Sequence, residues 1–164
     1  MVKHAFIVAG SQNYMPGLRA LIHSLHINGN YEDLIIISHN LDFGSLDFSK
    51  LKYNVYIVDS LIDDQIKGTA FERFAFAISY SKQYDAICLL DADMFITGDV
   101  STFFDIAARG FIVTGSNGMI INFGLNYQQY YKLDLGKPDI PYAKVHTTVP
   151  IFINEHNIDW FETW

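Results

Sequence analysis

Asp91 and Asp93 are separated by one small residue and follow directly on an apolar run, Ala86-Ile87-Cys88-Leu89-Leu90. Side chains two apart on an extended backbone point the same way. Read as a strand end, this spacing sets both carboxylates toward one side and Ala92 toward the other. Two like charges so close resist joint ionisation unless a cation compensates them. Oxygen donors suit a hard divalent ion, Mg2+ or Mn2+, bridging the carboxylates to the phosphate oxygens of a ligand. The three residues alone fit a solvated strand end with turn-forming aspartates as well. The immediate return to Met94-Phe95-Ile96 argues for the site, because it places the acidic pair between apolar anchors.

The elements that would position this pair follow from periodicity. Ala5 to Ala9 reads as a strand, Gly10 to Tyr14 as a loop, and Leu18, Leu21, Ile22 and Leu25 as the buried stripe of a helix, with Pro16 in its first turn and Gly29 at its stop. Leu34 to Ile37 and Asn54 to Val58 form two more strands. These runs are continuously apolar, as expected when helices cover both faces of a sheet. Thr69-Ala70-Phe71-Glu72 has the form of a capping box opening a helix with Phe71, Phe74, Ala75 and Ile78 buried. That helix leads into Ala86 to Leu90. Alternating strands and helices predict an α/β layer fold with a mostly parallel sheet, whose ligands bind outside the carboxyl ends of the strands. Asp91 and Asp93 lie at such an end.

Composition limits the partners. The chain has 164 residues, 50% of them hydrophobic, which suffices for one core. Its charge of −7 and scattered lysines and arginines leave no basic stripe for a nucleic acid. An acidic protein that takes a phosphorylated ligand needs a metal ion to do so. The single cysteine, Cys88, sits inside the apolar run and suits a reducing cytoplasm. No stretch reaches the ~18 apolar residues of a membrane span, and the expectation is a cytoplasmic protein.

The run from Tyr84 to Asp105, with Tyr84-Asp85 before the acidic pair, Gly98-Asp99 after it and Phe104-Asp105 farther on, resembles the metal-binding segment of family-eight glycosyltransferases. These are GT-A-fold enzymes that include glycogenin-like and lipopolysaccharide galactosyl- and glucosyltransferases. Phe71-Glu72-Arg73-Phe74 matches their aromatic-x-Arg-apolar stretch, and Asn13-Tyr14 with the following helix matches their nucleotide loop. The resemblance implies a Rossmann-like GT-A sheet and a nucleotide-sugar donor, in particular a UDP-sugar. Asp93 would be a metal ligand, and Asp91 a contact to metal or ribose. Arg73 would assist at the diphosphate, Asn13 and Tyr14 would lie at the nucleotide, and Mn2+ or Mg2+ would be the cofactor. The implied reaction transfers the sugar, with retained configuration, to a hydroxyl of a glycan, lipid-glycan or protein acceptor. No residue is assigned as a catalytic nucleophile.

The match runs from about residue 4 to 105, and later motifs depart from it. Gly136-Lys137-Pro138 lacks the histidine that the family places three before its glycine. His146, ahead of the apolar Val149 to Asn154, reads as unligated. Asn157 to Trp164 reads as the first turn of a helix. The expectation is one GT-A-like domain over residues 1–164, incomplete on the acceptor side. Two other enzyme classes fit less well. A haloacid-dehalogenase-type phosphatase wants a Thr or Val where Phe95 stands, and its motif near the N-terminus. A sugar-phosphate nucleotidylyltransferase wants a glycine-rich, basic loop where Gly10 to Tyr14 stands. A nucleotide-sugar-binding domain without transfer activity stays open as the non-enzyme reading.

Overall fold

The structure, a computed structural model, describes residues 3–44, 46–62, 65–114 and 150–156, and of 65–71 and 114 only the backbone. Among the described residues six strands form one sheet: β1 (His4–Ser11), β2 (Asp33–His39), β3 (Val55–Asp59), β4 (Ala86–Asp91), β5 (Val113–Thr114) and β6 (Ile151–Ile153). Their order is β3-β2-β1-β4-β6-β5. The first four are parallel, while β6 pairs antiparallel with both β4 and β5. Three helices, α1 (Met15–Ile27), α2 (Gln65–Tyr80) and α3 (Ser101–Ala108), cover the two faces.

Strand parity decides which face each residue serves. In β1, β2 and β4 the even positions Phe6, Val8, Leu34, Ile36, Cys88 and Leu90 pack with α1 and α3 through Leu18, Leu21, Leu25 and Phe104. The odd positions Ala5, Ile7, Ile35, Ile37, Ile87 and Leu89 pack with Ala77 of α2. Both faces are dry, which is why these strands read as continuous apolar runs.

Most predicted elements are present, with shifted ends. β1 continues through Gly10 to Ser11, and a short 3-10 turn, Gln12–Tyr14, delivers the chain into α1. Pro16 lies in the first turn of α1, and Gly29 beyond its end has a φ of 79°, a left-handed backbone that glycine adopts without strain. Helix α2 departs more. It begins at Gln65, so Thr69 to Glu72 is helix interior and not a capping box. Its buried face carries Glu72, Arg73 and Ala77, while Ala75 is exposed and Phe74 and Ile78 are half-buried. Phe74 and Ile78 of the expected stripe do pack against the core, the Phe71 side chain lies outside the described residues, and apolar periodicity missed Glu72 and Arg73 because their burial depends on polar partners on the sheet.

Cys88 is fully buried, and burial pushes its thiol well above the ordinary range. Among the described residues no helix is long and apolar enough to cross a membrane. The expectations that fall on residues 136–138, 146–149 and 157–164 lie outside the described residues.

His4, at the start of β1, stacks on Phe104 with ring centroids 4.7 Å apart. Burial lowers its pKa below the ordinary 6.5 despite the nearby Asp105 and Asp85 charges. The unfolded chain therefore binds the proton more readily, so stability present above pH 6.5 is lost as the pH falls toward the lowered folded value. Urea unfolding is expected to show a midpoint that drops between pH 7 and pH 5, and His4→Phe should remove part of that drop. An unchanged pH dependence in the variant would refute the assignment.

Candidate functional site

The strand order reverses direction at β1, whose neighbours are β2 on one side and β4 on the other. Ligands of open α/β sheets bind at such a switch point, outside the carboxyl ends of the strands. Asp91 ends β4 beside Ala9 of β1. The turn Gln12–Tyr14 leaves β1 at the same edge.

Asp91 is at an odd position and faces α2, where Arg73 Nη1 donates to its Oδ1 and, at 3.3 Å, to the Leu90 carbonyl. Arg73 is 5% exposed, so it is no solvated surface arginine. Its neighbour Glu72 is also buried. The Glu72 carboxylate lies 2.8 Å from His39 Nε2 at the end of β2, and its other oxygen accepts the Leu61 backbone N–H. Two consecutive helix residues thus reach two different strand ends on either side of β1.

Asp93 does not share this face through an extended backbone, as the two-residue spacing predicted. The strand stops at Asp91 and the chain turns, with Met94 N–H donating to the Asp91 carbonyl at 3.2 Å. The turn rests on α1 at Gly17, where a Cβ would stand 2.8 Å from the Ala92 carbonyl oxygen and 3.0 Å from the Asp93 Cα. Asp93 itself is exposed. The acidic pair is therefore shared between the two helical layers, Asp91 toward α2 and Asp93 over α1.

Beyond the turn, the chain no longer has a sheet to satisfy its peptide groups, and α1 with the residues after it supplies the partners. Ser24 Oγ accepts Ile96 N–H at 3.0 Å, and Asn28 Nδ2 donates to the Ile96 carbonyl at 2.9 Å. Asn30 donates to the Gly98 carbonyl and accepts Val100 N–H, both at 2.9 Å. Of the three expected apolar anchors, Ile96 is buried and Met94 half-buried, but Phe95 is 57% exposed. Sequence reasoning missed the four residues Gly17, Ser24, Asn28 and Asn30. Their only signal in the sequence was their type, a glycine and a serine within the first helix and two asparagines just past its end.

Asn13 and Tyr14 stand exposed at the mouth of this edge, Tyr14 at 47%. Gln12 Oε1 accepts the Asp42 N–H at 2.9 Å, tying the turn to the loop after β2. Gly10 brings β1 beside Ala92, where an added Cβ would lie 3.6 Å from the alanine's own. Neither Asn13 nor Tyr14 hydrogen-bonds to either aspartate among the described residues. A polar cleft of about 400 Å³ opens elsewhere, at the amino ends of the strands between Lys3, Tyr84 and Asn154, away from the acidic pair.

No group of three or more His, Cys, Asp or Glu that could hold a metal occurs among the described residues. The carboxylates at this edge are Asp91, which Arg73 engages, and the exposed Asp93. Two carboxylates fit Mg2+ or Mn2+, which keep waters and take substrate phosphates as their remaining ligands.

No family model and no curated protein matches this sequence. Solved structures do. The apo WbbM bifunctional glycosyltransferase is similar with a TM-score of 0.68 at 12% identity, over 99% of this chain and 33% of that one. The galactosyltransferase LgtC, in complex with donor and acceptor sugar analogs, gives 0.63 at 16% identity, over 96% of this chain and 59% of that one. A 4-diphosphocytidyl-2C-methyl-D-erythritol synthase from Anaerococcus prevotii gives 0.56 at 10% identity, over 99% and 76%. This chain spans a third of WbbM and about three fifths of LgtC. The fold is the GT-A fold of glycosyltransferases, and the synthase shares it.

Two substitutions test how the acidic turn is held. Helix propensity favours Ala over Gly by about 1 kcal/mol. At Gly17 the added methyl meets backbone 2.8 Å away, which no rotamer can relieve. Overpacking of this kind costs ~1–3 kcal/mol, so Gly17→Ala is expected to lower stability, and equal or raised stability in denaturant unfolding would refute the contact. Asn30→Ala strands the Gly98 carbonyl and the Val100 N–H and should cost about 1–3 kcal/mol in the same measurement.

Proposed function

We infer that this chain is a glycosyltransferase domain that binds a nucleotide-sugar donor with a divalent metal and transfers the sugar to an acceptor hydroxyl. The observation that carries this reading is the acidic pair at the end of β4, set at the switch point of a GT-A sheet beside the turn that leaves β1. Likeness to glycosyltransferases, one of them with donor and acceptor sugar analogs bound, supports it. The donor is proposed to be a UDP-sugar, and the acceptor a glycan, lipid-glycan or protein hydroxyl. The work is proposed to be cytoplasmic, where Cys88 stays reduced.

Asp93 and the outer oxygen of Asp91 would hold Mn2+ or Mg2+. The bound metal supplies positive charge that stabilises the departing diphosphate as the sugar–phosphate bond breaks. Arg73 holds the Asp91 carboxylate in place at the end of β4 through its Nη1. Tyr14 offers an exposed ring to a nucleobase at the rim, and Asn13 offers an amide to the ribose. An aspartyl nucleophile of the haloacid-dehalogenase type would have to be Asp91, whose carboxylate Arg73 already engages.

Titration calorimetry of UDP with Mn2+, with the metal chelated, and with Asp93→Asn checks the reading. Binding is expected only with metal. Asp93→Asn should weaken it by at least ~10-fold, the low end of what losing even an outer-shell partner of a metal costs. Absence of binding in the unaltered protein with Mn2+, or binding indifferent to Asp93, would sink the proposal. Saturable binding with no transfer and no donor hydrolysis would identify the non-enzyme alternative.

A further inference from the structure

The Glu72–His39 pair has no part in the donor site as described, yet it is the most deeply buried ion pair among the described residues. Both side chains are 2% exposed, with 2.8 Å between carboxylate and Nε2. The second carboxylate oxygen of Glu72 takes the Leu61 N–H in the connection from β3 to α2. Burial of such a pair is not a route to stability, because well-packed apolar residues in its place serve as well or better. Its geometry gives it another use. Glu72 and Arg73 are successive residues of α2, about 100° apart around the helix, so one reaches β2 while the other reaches β4.

We propose that Glu72, pinned by His39 and the Leu61 N–H, is a positioning residue that fixes the rotation of α2 about its axis and so aims Arg73 at Asp91. This rests on the donor-site reading only for what Arg73 then does. The aim itself is a property of the chain alone. A helix packed on an apolar sheet face slides and rotates at low cost, whereas a buried carboxylate set 2.8 Å from His39 Nε2 and accepting the Leu61 N–H fits at one rotation of the helix. With Arg73 mis-aimed, Asp91 would lose its cation, and the acidic pair would face a metal in more than one arrangement.

The test replaces the pair by His39→Leu/Glu72→Leu, which keeps the site filled and apolar. It is read against Glu72→Gln, whose amide keeps an acceptor for Leu61 and a donor for His39. The chain has three arginines, Arg19, Arg73 and Arg109, so the Arg73 side-chain N–H signal in a nitrogen-15 spectrum is assigned by its loss in Arg73→Lys. In the apolar pair, unfolding stays cooperative, the Arg73 signal broadens toward that of a solvated arginine, and UDP affinity with Mn2+ falls about tenfold, within the range of couplings between contacting residues. Glu72→Gln restores both readouts. In an Arg73→Lys background the apolar pair produces no further loss of affinity.

A folded apolar-pair variant with the original Arg73 signal overturns the proposal, and so does additive loss in the Arg73→Lys background. If the apolar pair does not fold, His39→Phe, which leaves α2 untouched, carries the same expectation and the same refutation. Failure of the unaltered protein to bind UDP overturns the donor reading and leaves the Arg73 signal to decide this one.

Discussion

A chain that leaves a sheet and turns back must find partners for the peptide groups that the sheet no longer satisfies, and the segment after β4 meets that requirement on α1. Ser24, Asn28 and Asn30 take up the backbone of Ile96, Gly98 and Val100, and Gly17 lets the Ala92–Asp93 turn lie against the helix without a side chain between them. An unpaired buried peptide group costs as much as a lost hydrogen bond or more, so these contacts are obligatory once the turn is buried. The location of Asp93 follows from them. Its carboxylate stands at the edge because its backbone is held below it.

The opposite layer solves a different problem. Four ionisable side chains, His39, Glu72, Arg73 and Asp91, meet along the carboxyl edge on the α2 face, three of them nearly removed from water. Glu72 is set beside His39, and Arg73 beside Asp91. The site-facing ends, Asp91 and Arg73, are of opposite sign, one suited to a cation and the other to an anion. A metal–diphosphate ligand presents both.

These two layers meet at the switch point, and neither alone makes a site. α1 fixes where the chain goes after β4, and α2 fixes what the last carboxylate of β4 touches. The shared GT-A fold of glycosyltransferases and a diphosphocytidyl-methylerythritol synthase shows that the sheet is indifferent to the final chemistry. The edge of this chain carries a glutamate before Arg73, a glycine under the acidic turn and an exposed tyrosine at the mouth.

Much of this was legible in the order of residues. The continuous apolar runs of β1, β2 and β4 announced strands covered on both faces, whereas β3, read the same way, lies at the sheet edge with Tyr56 and Ile57 exposed; the three-and-four spacing of Leu18, Leu21, Ile22 and Leu25 announced α1, and an acidic pair at the end of a strand announced where to look. Such features are local, since a periodicity of two or 3.6 and a turn residue act within a few positions. Tertiary structure alone decided that Glu72 and Arg73 face inward, that Asp91 and Asp93 turn toward different layers, and that small and amide residues of α1 hold the segment beyond them. Those outcomes depend on pairing between groups far apart in the chain. A charged residue reads as exposed in sequence until the partner that allows its burial, here on a strand 33 residues before it for Glu72 and 18 after it for Arg73, is brought to it by the fold.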